Sequence, residues 1–318
     1  MSTVREAARM SGALRDAARS RSQVARLIRL AAPPLLVFLV VIGIWYAVTY
    51  LVLQPSRRFL LPPPHDVVRY GFMEPTTRAE LWRGLLRSAH VAFLGLGVAF
   101  VIGFATAVLM SQAKWIERSL YPWAVVLQTV PILAIVPLLG FWFGFGLMSR
   151  VIVCVIIALF PIIINTLTGL LSADRRLHDL LTLHGAGRWT RLTKLQIPAA
   201  LPDIFTGLRT SAGLAVIGAI VGDFFFGRGR PGLGLLLAQY SSRLKSEELL
   251  AAVLVACGFG VAVFSAFGWL GRRVVGAWDE SWGATSRIEV QDEEATQGVQ
   301  TDTSREGVGE PTGRGEAP

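Results

Sequence analysis

Charge is scarce in this chain. Only 17% of its 318 residues are Asp, Glu, Lys or Arg, while 53% are hydrophobic, and the mean hydropathy is +0.51. Those values exclude an ordinary soluble globular domain. Cysteine is almost missing too. Cys154 and Cys257 each fall inside a long apolar run with no metal-like neighbour, so no disulfide or zinc site is expected and both thiols read as buried small hydrophobes. The four histidines, His65, His90, His178 and His184, are scattered and make no H-E-x-x-H. No G-x-x-x-x-G-K-[ST] occurs: Lys245 is the only lysine followed by Ser or Thr, and no glycine precedes it. The glycine-rich run from 227 to 234 follows no strand and reads as a turn with exposed arginines. Without a nucleophile–base pair, a metal set or a phosphate loop, the chain is expected to be no enzyme and to hold no cofactor. The net charge of +9 is no argument for nucleic acid, because the basic residues flank apolar runs where anionic lipid accounts for them.

What the sequence does have is long apolar runs, and a bilayer-spanning helix needs about 20 such residues. Six spans are predicted: Leu35–Leu53, Ala89–Met110, Leu120–Phe141, Val151–Leu171, Ile204–Phe226 and Leu249–Gly271. The charge-free stretch from Ser119 to Ser149 carries Pro122, Pro131 and Pro137, then Gly140, Gly144 and Gly146, so the third span should kink or break. The fifth carries Arg209 near one end and Asp223 near the other, about 20 Å apart along a helix axis, so hydropathy alone makes it a weak span and its place among the six leans on the family resemblance given below. Residues 1–34 form an Arg- and Ala-rich arm without a clear cleavage site, 35–278 the six-span domain, and 279–318 an acidic tail. No aromatic residue follows Trp282, and the tail is expected to be disordered. Placing the arm, Lys114, Arg118, the basic residues of 174–202, Arg272 and Arg273 in the cytoplasm satisfies the positive-inside rule and puts both termini there.

One polar interlude, residues 174–202, interrupts the apolar runs. Leu177, Leu180, Leu181 and His184 follow helical spacing, and Gly185 sits where that helix should stop. A second helix is predicted from Ala186 to Ile197, ending against Pro198, with Pro202 four residues on. It carries an apolar stripe of Trp189, Leu192 and Leu195 beside a basic stripe of Arg188, Arg191 and Lys194. Such a two-sided helix–turn–helix either docks a soluble partner or lies on the membrane surface with its arginines on lipid phosphate.

These residues resemble the coupling loop of the permease subunits of binding-protein-dependent ABC importers. Gly185 matches the family's loop glycine, and Leu195-Gln196-Ile197-Pro198 is similar to its I-x-L-P. The Glu-Ala-Ala that precedes the glycine reads Asp179-Leu180-Leu181 here, so the charge survives and the small residues do not. The continuation Pro198-Ala199-Ala200-Leu201-Pro202, with Leu61-Pro62-Pro63-Pro64, Trp142-Phe143-Gly144-Phe145-Gly146 and Phe160-Pro161 before Asn165, resembles the branch importing nitrate, sulfonates, taurine and pyrimidine or riboflavin precursors.

The resemblance implies an all-α membrane protein: six transmembrane helices with a cytoplasmic helix-turn-helix coupling loop, of the type I importer permease kind, in the inner membrane. It implies a permease homodimer, cytoplasmic ABC ATPase subunits that hydrolyse ATP, and an external solute-binding protein. Asp179, Gly185, Trp189, Leu192, Leu195, Ile197, Pro198 and Pro202 would then form the ATPase coupling loop. Gln128, Asn165 and Asp223 are polar residues inside spans, expected either to line the pathway or to bond neighbouring helices; Asp223 could instead pair with Arg228 or Arg230. An ion-coupled secondary transporter or channel is the competing reading, with Asp223 its one carboxylate.

Overall fold

The computed structural model describes residues 32–226 and 230–276, and among them every regular element is helical. The amino-terminal arm up to residue 31, Arg228 with its two glycine neighbours, and the acidic tail lie outside the described residues. In chain order the helices are α1 (Ala32–Val52), α2 (64–73), α3 (Pro75–Gln112), α4 (Lys114–Thr129), α5 (Ile132–Phe143) and α6 (Leu147–Leu171). They continue with α7 (Arg175–Leu183), α8 (Arg188–Phe225), α9 (Leu233–Ser242) and α10 (Ser246–Val275). Five of these are long and apolar enough to cross a membrane, and α4 with α5, bent by 98°, form either a sixth, broken span or a re-entrant loop.

Two boundaries depart from the sequence reading, and the third span breaks as expected. The second span is 38 residues long because its helix starts at Pro75, well before the predicted Ala89, taking in Arg78, Arg83 and Arg87. The helix predicted to end at Pro198 does not end: α8 runs on to Phe225. The reason is the π-helical turn Leu192–Gln196, whose hydrogen bonds skip five residues, as when the Ile197 N–H reaches the Leu192 carbonyl. Pro198 falls where that register returns to i−4, so its missing N–H interrupts nothing. In the third span, Pro122 and Pro137 are held inside α4 and α5, and the break comes at Pro131 alone, where the axis turns by 98°. Val130, forced extended by the proline after it (ψ 124°), ends α4.

Residue contacts divide the described chain into two units. In the first, 32–83 with Leu236–Val255, the core is Val67, Leu81, Leu236, Tyr240, Ala251 and Ala252. The triple proline belongs to this unit. The Trp45 indole N–H donates to the Pro62 carbonyl (3.0 Å) and the Thr49 hydroxyl to the Leu61 carbonyl (3.2 Å), so α1 holds the turn that precedes α2. Tyr240 donates to Glu80 at 2.7 Å.

The second unit, Gly84–Leu235 with 256–276, is centred on the pair α6–α8. Cys154, Ala158, Ser211, Ala212, Ala215 and Ala219 are all fully buried, and small side chains let the two backbones approach. The Ser211 hydroxyl donates across the pair to the Ala158 carbonyl at 2.7 Å. Cys154 meets expectation as a buried thiol; Cys257, expected to be buried likewise, is exposed on α10.

Candidate functional sites

The turn between α7 and α8 is built from its caps inward. Asp174 caps α7: its carboxylate accepts the Arg176 N–H at 2.8 Å. At the other end the Gly185 N–H donates to the Thr182 carbonyl (3.0 Å) and the Ala186 N–H to Leu181 (2.9 Å), a paired closure that needs a left-handed residue. Gly185 supplies it at φ +67°. Arg191 Nε donates to the Ala186 carbonyl at 3.1 Å, tying the turn to the start of α8.

The stripe read from sequence is split. Trp189 is 77% exposed, but Leu192, at 4%, is buried against Ala107, Met110, Leu170 and Ala200, and Leu195 and Ile197 are half-buried. A π-turn rotates side chains off the 3.6-residue period, so i, i+3, i+6 does not describe one face here. Leu192 therefore anchors the turn from beneath, contrary to the expectation that it docks. The exposed apolar edge is instead Leu177, Leu180, Leu183 (85% exposed) and Trp189, with Asp179 exposed on the same helix. Pro198 is exposed, and Pro202 is half-buried within α8. Arg188 and Arg191, with His178, Ser111, Gln112 and Gln196, line a polar pocket of about 170 Å³ beside the turn.

Of the three polar residues expected in the spans, each has a different fate. Gln128 is exposed and lines a cavity at the α4–α5 bend. Asn165 is half-buried and donates to the Pro161 carbonyl at 2.8 Å, the intrahelical use of its amide. Asp223 is fully buried and ion-paired with Arg150 at 2.9 Å. Of the two arginines expected as its partner, Arg228 lies outside the described residues, and among the described residues Asp223 makes no ion pair with Arg230.

Around that pair sits a polar cluster the sequence reading missed. Ser88 donates to the second Asp223 oxygen and accepts the Leu233 N–H at 2.8 Å. Arg150 also donates to the Phe226 carbonyl at 2.6 Å, and Arg87 to the Pro231 carbonyl at 2.9 Å. Residues 230–234, the described part of the glycine-rich run, thus pack onto buried charge: a Cβ on Gly232 would lie 1.9 Å from an Asp223 oxygen, and one on Gly234 2.0 Å from the Ile220 carbonyl. One signal was there to be read. Arg150 immediately precedes a span with no opposite charge nearby in sequence, and a buried guanidinium must find its carboxylate somewhere.

The fold agrees with the comparisons. Residues 99–276 match the model of the family described as binding-protein-dependent transport system inner membrane component. The chain belongs to that family. The formylaminopyrimidine transport permease protein ThiX of Halalkalibacterium halodurans is 31% identical over 74% of this chain and 92% of its own length. The riboflavin transport system permease protein RibX of Chloroflexus aurantiacus is 32% identical over 70% and 82%, and the taurine transport system permease protein TauC of Escherichia coli 28% over 68% and 78%. An inward-facing structure of the MetNI methionine ABC transporter superposes with a TM-score of 0.54 at 20% identity, over 64% of this chain and 99% of that one. These place the chain among multi-pass ABC importer permeases for small solutes.

Proposed function

We propose that the chain forms, as a homodimer, the translocation pathway of an ATP-driven importer in the inner membrane, with both termini in the cytoplasm. Each copy seats the edge Leu177–Leu180–Leu183–Trp189, with Asp179 and the Gly185 turn, in a groove of a cytoplasmic ATPase subunit that hydrolyses the nucleotide. Nucleotide closes the ATPase pair, draws the two turns together and rocks the spans from inward- to outward-open. An external binding protein then delivers a small solute of the sulfonate, taurine, nitrate or pyrimidine or riboflavin-precursor type; the relatives' names supply formylaminopyrimidine, riboflavin, aliphatic sulfonates and taurine, and nitrate comes from the resemblance alone.

One observation carries this reading. The turn is the head of an unbroken 38-residue helix, α8, about 57 Å long at 1.5 Å per residue. Leu192 packs in the bundle core below the head and the Asp223 cluster holds the far end, so a push on Trp189 is carried along one continuous helix into the bundle. Proteoliposomes holding the chain, its ATPase subunit and its binding protein test it. Solute uptake should require ATP and all three components; uptake driven by an ion gradient without ATP would overturn the proposal in favour of a secondary transporter.

A further inference from the structure

The bend in the third span borders a cavity of about 340 Å³, at the lower end of the range for small-molecule sites, about 300–1,000 Å³. Its walls are apolar: Leu127, Ile156, Ile157, Phe160, Leu214 and Ile217. Its polar side chain is Gln128, whose amide has no protein partner among the described residues. No Asp, Glu, Lys, Arg or His lines it.

Two helix ends meet at this cavity. The last carbonyls of α4 have no following turn to accept from, and the first N–H groups of α5 at Ile132 and Leu133 have no preceding turn to donate to. Their partial charges, about half a unit each and opposite in sign, largely cancel. The site therefore offers donors and acceptors side by side without a net field. Arg150, paired with Asp223, and Arg209, over the Phe264 ring at 4.1 Å, both lie off the cavity wall.

Building on the importer reading, we infer that this cavity lies on the solute path and takes an uncharged flat heterocycle of about pyrimidine size, in preference to a permanently charged sulfonate or nitrate. The ring faces pack between Ile157, Phe160 and Leu214, while the ring's adjacent donor and acceptor edge pairs with Gln128 and the backbone groups of the bend. An anion entering here gives up its hydration with no cation to replace it. Among the solutes carried by relatives, this selects the pyrimidine and riboflavin side.

The test is direct binding to the membrane-embedded chain in nanodiscs, with its co-purifying subunits and without nucleotide. Formylaminopyrimidine and methanesulfonate are titrated separately and followed by saturation-transfer NMR. The pyrimidine should bind at least about tenfold more tightly than methanesulfonate, and Gln128→Leu should weaken it by about tenfold. Ile157→Trp, which fills the cavity, should abolish it; if that variant fails to fold, the exposed Gln128 position carries the test alone. Methanesulfonate binding as tightly, neither probe binding, or pyrimidine binding indifferent to the substitutions would each overturn the inference. The readout uses no ATP. Failure here with ATP-dependent uptake intact removes only the solute class, whereas loss of ATP-dependent uptake removes the importer reading itself.

Discussion

The most consequential residues are Arg150 and Asp223. A buried ion pair is weak evidence for stability but strong evidence for dependence, since removing one partner strands the other charge in an apolar interior. Arg150→Met or Asp223→Leu alone should cost about 3–5 kcal/mol, lowering the thermal midpoint and membrane yield. The double variant should recover much of that loss. Additive effects in a thermal melt of the three purified variants would contradict the pairing. The carboxylate that a proton-coupled mechanism would need is the same Asp223, already committed to Arg150 and Ser88.

Tyr240, outside the spanning segments, permits a second test at this scale. Burial first, then its hydrogen bond to Glu80, pushes the phenol above its ordinary value of 10.0. The sign follows: the folded state keeps its proton while the unfolded state loses its own near pH 10, so the contribution is whole below that pH and is lost as pH rises above it. Between pH 9 and 11 the wild-type chain should lose stability more steeply than Tyr240→Phe. Equal slopes in pH-dependent melts would argue against a buried, protonated Tyr240.

At the scale of elements, the turn between α7 and α8 depends on one backbone conformation. Gly185→Ala keeps the size nearly unchanged yet imposes a left-handed cost of about 1–2 kcal/mol on a non-glycine residue. The account expects normal membrane insertion, weaker recovery of the ATPase with the purified chain, and reduced uptake. Undiminished ATPase recovery would remove Gly185 from docking. The stop glycine was legible because chain reversal after a helix has so few solutions. The helix end at Pro198 was not, because the π-turn that accommodates the proline leaves no mark in residue type. For the same reason the stripe Trp189–Leu192–Leu195 was read as one face, when a five-residue register had moved Leu192 into the core.

Across the whole molecule, apolar run length located the first, second, fourth and sixth spans, since the bilayer constrains that quantity directly, whereas the fifth leaned on the family resemblance and the third is a bent helix pair. Hydropathy says nothing about partners 73 residues apart, so the Arg150–Asp223 pair and its Ser88 neighbour emerged only from the fold. The glycine-rich run illustrates the difference. Its sequence alone reads as a loose exposed turn, but Gly232 and Gly234 are small because Asp223 and the Ile220 carbonyl press against them.

The central claim is that force from an ATPase enters this chain at the exposed edge ending in Trp189. A photo-crosslinking residue in place of Trp189, in membranes containing the ATPase subunit, tests it most directly. The account predicts a crosslink to the ATPase that is lost when the label is moved to the buried Leu192 position. A Trp189 label that captures no ATPase, or that reacts with a membrane-impermeant reagent added outside the cell, would contradict it.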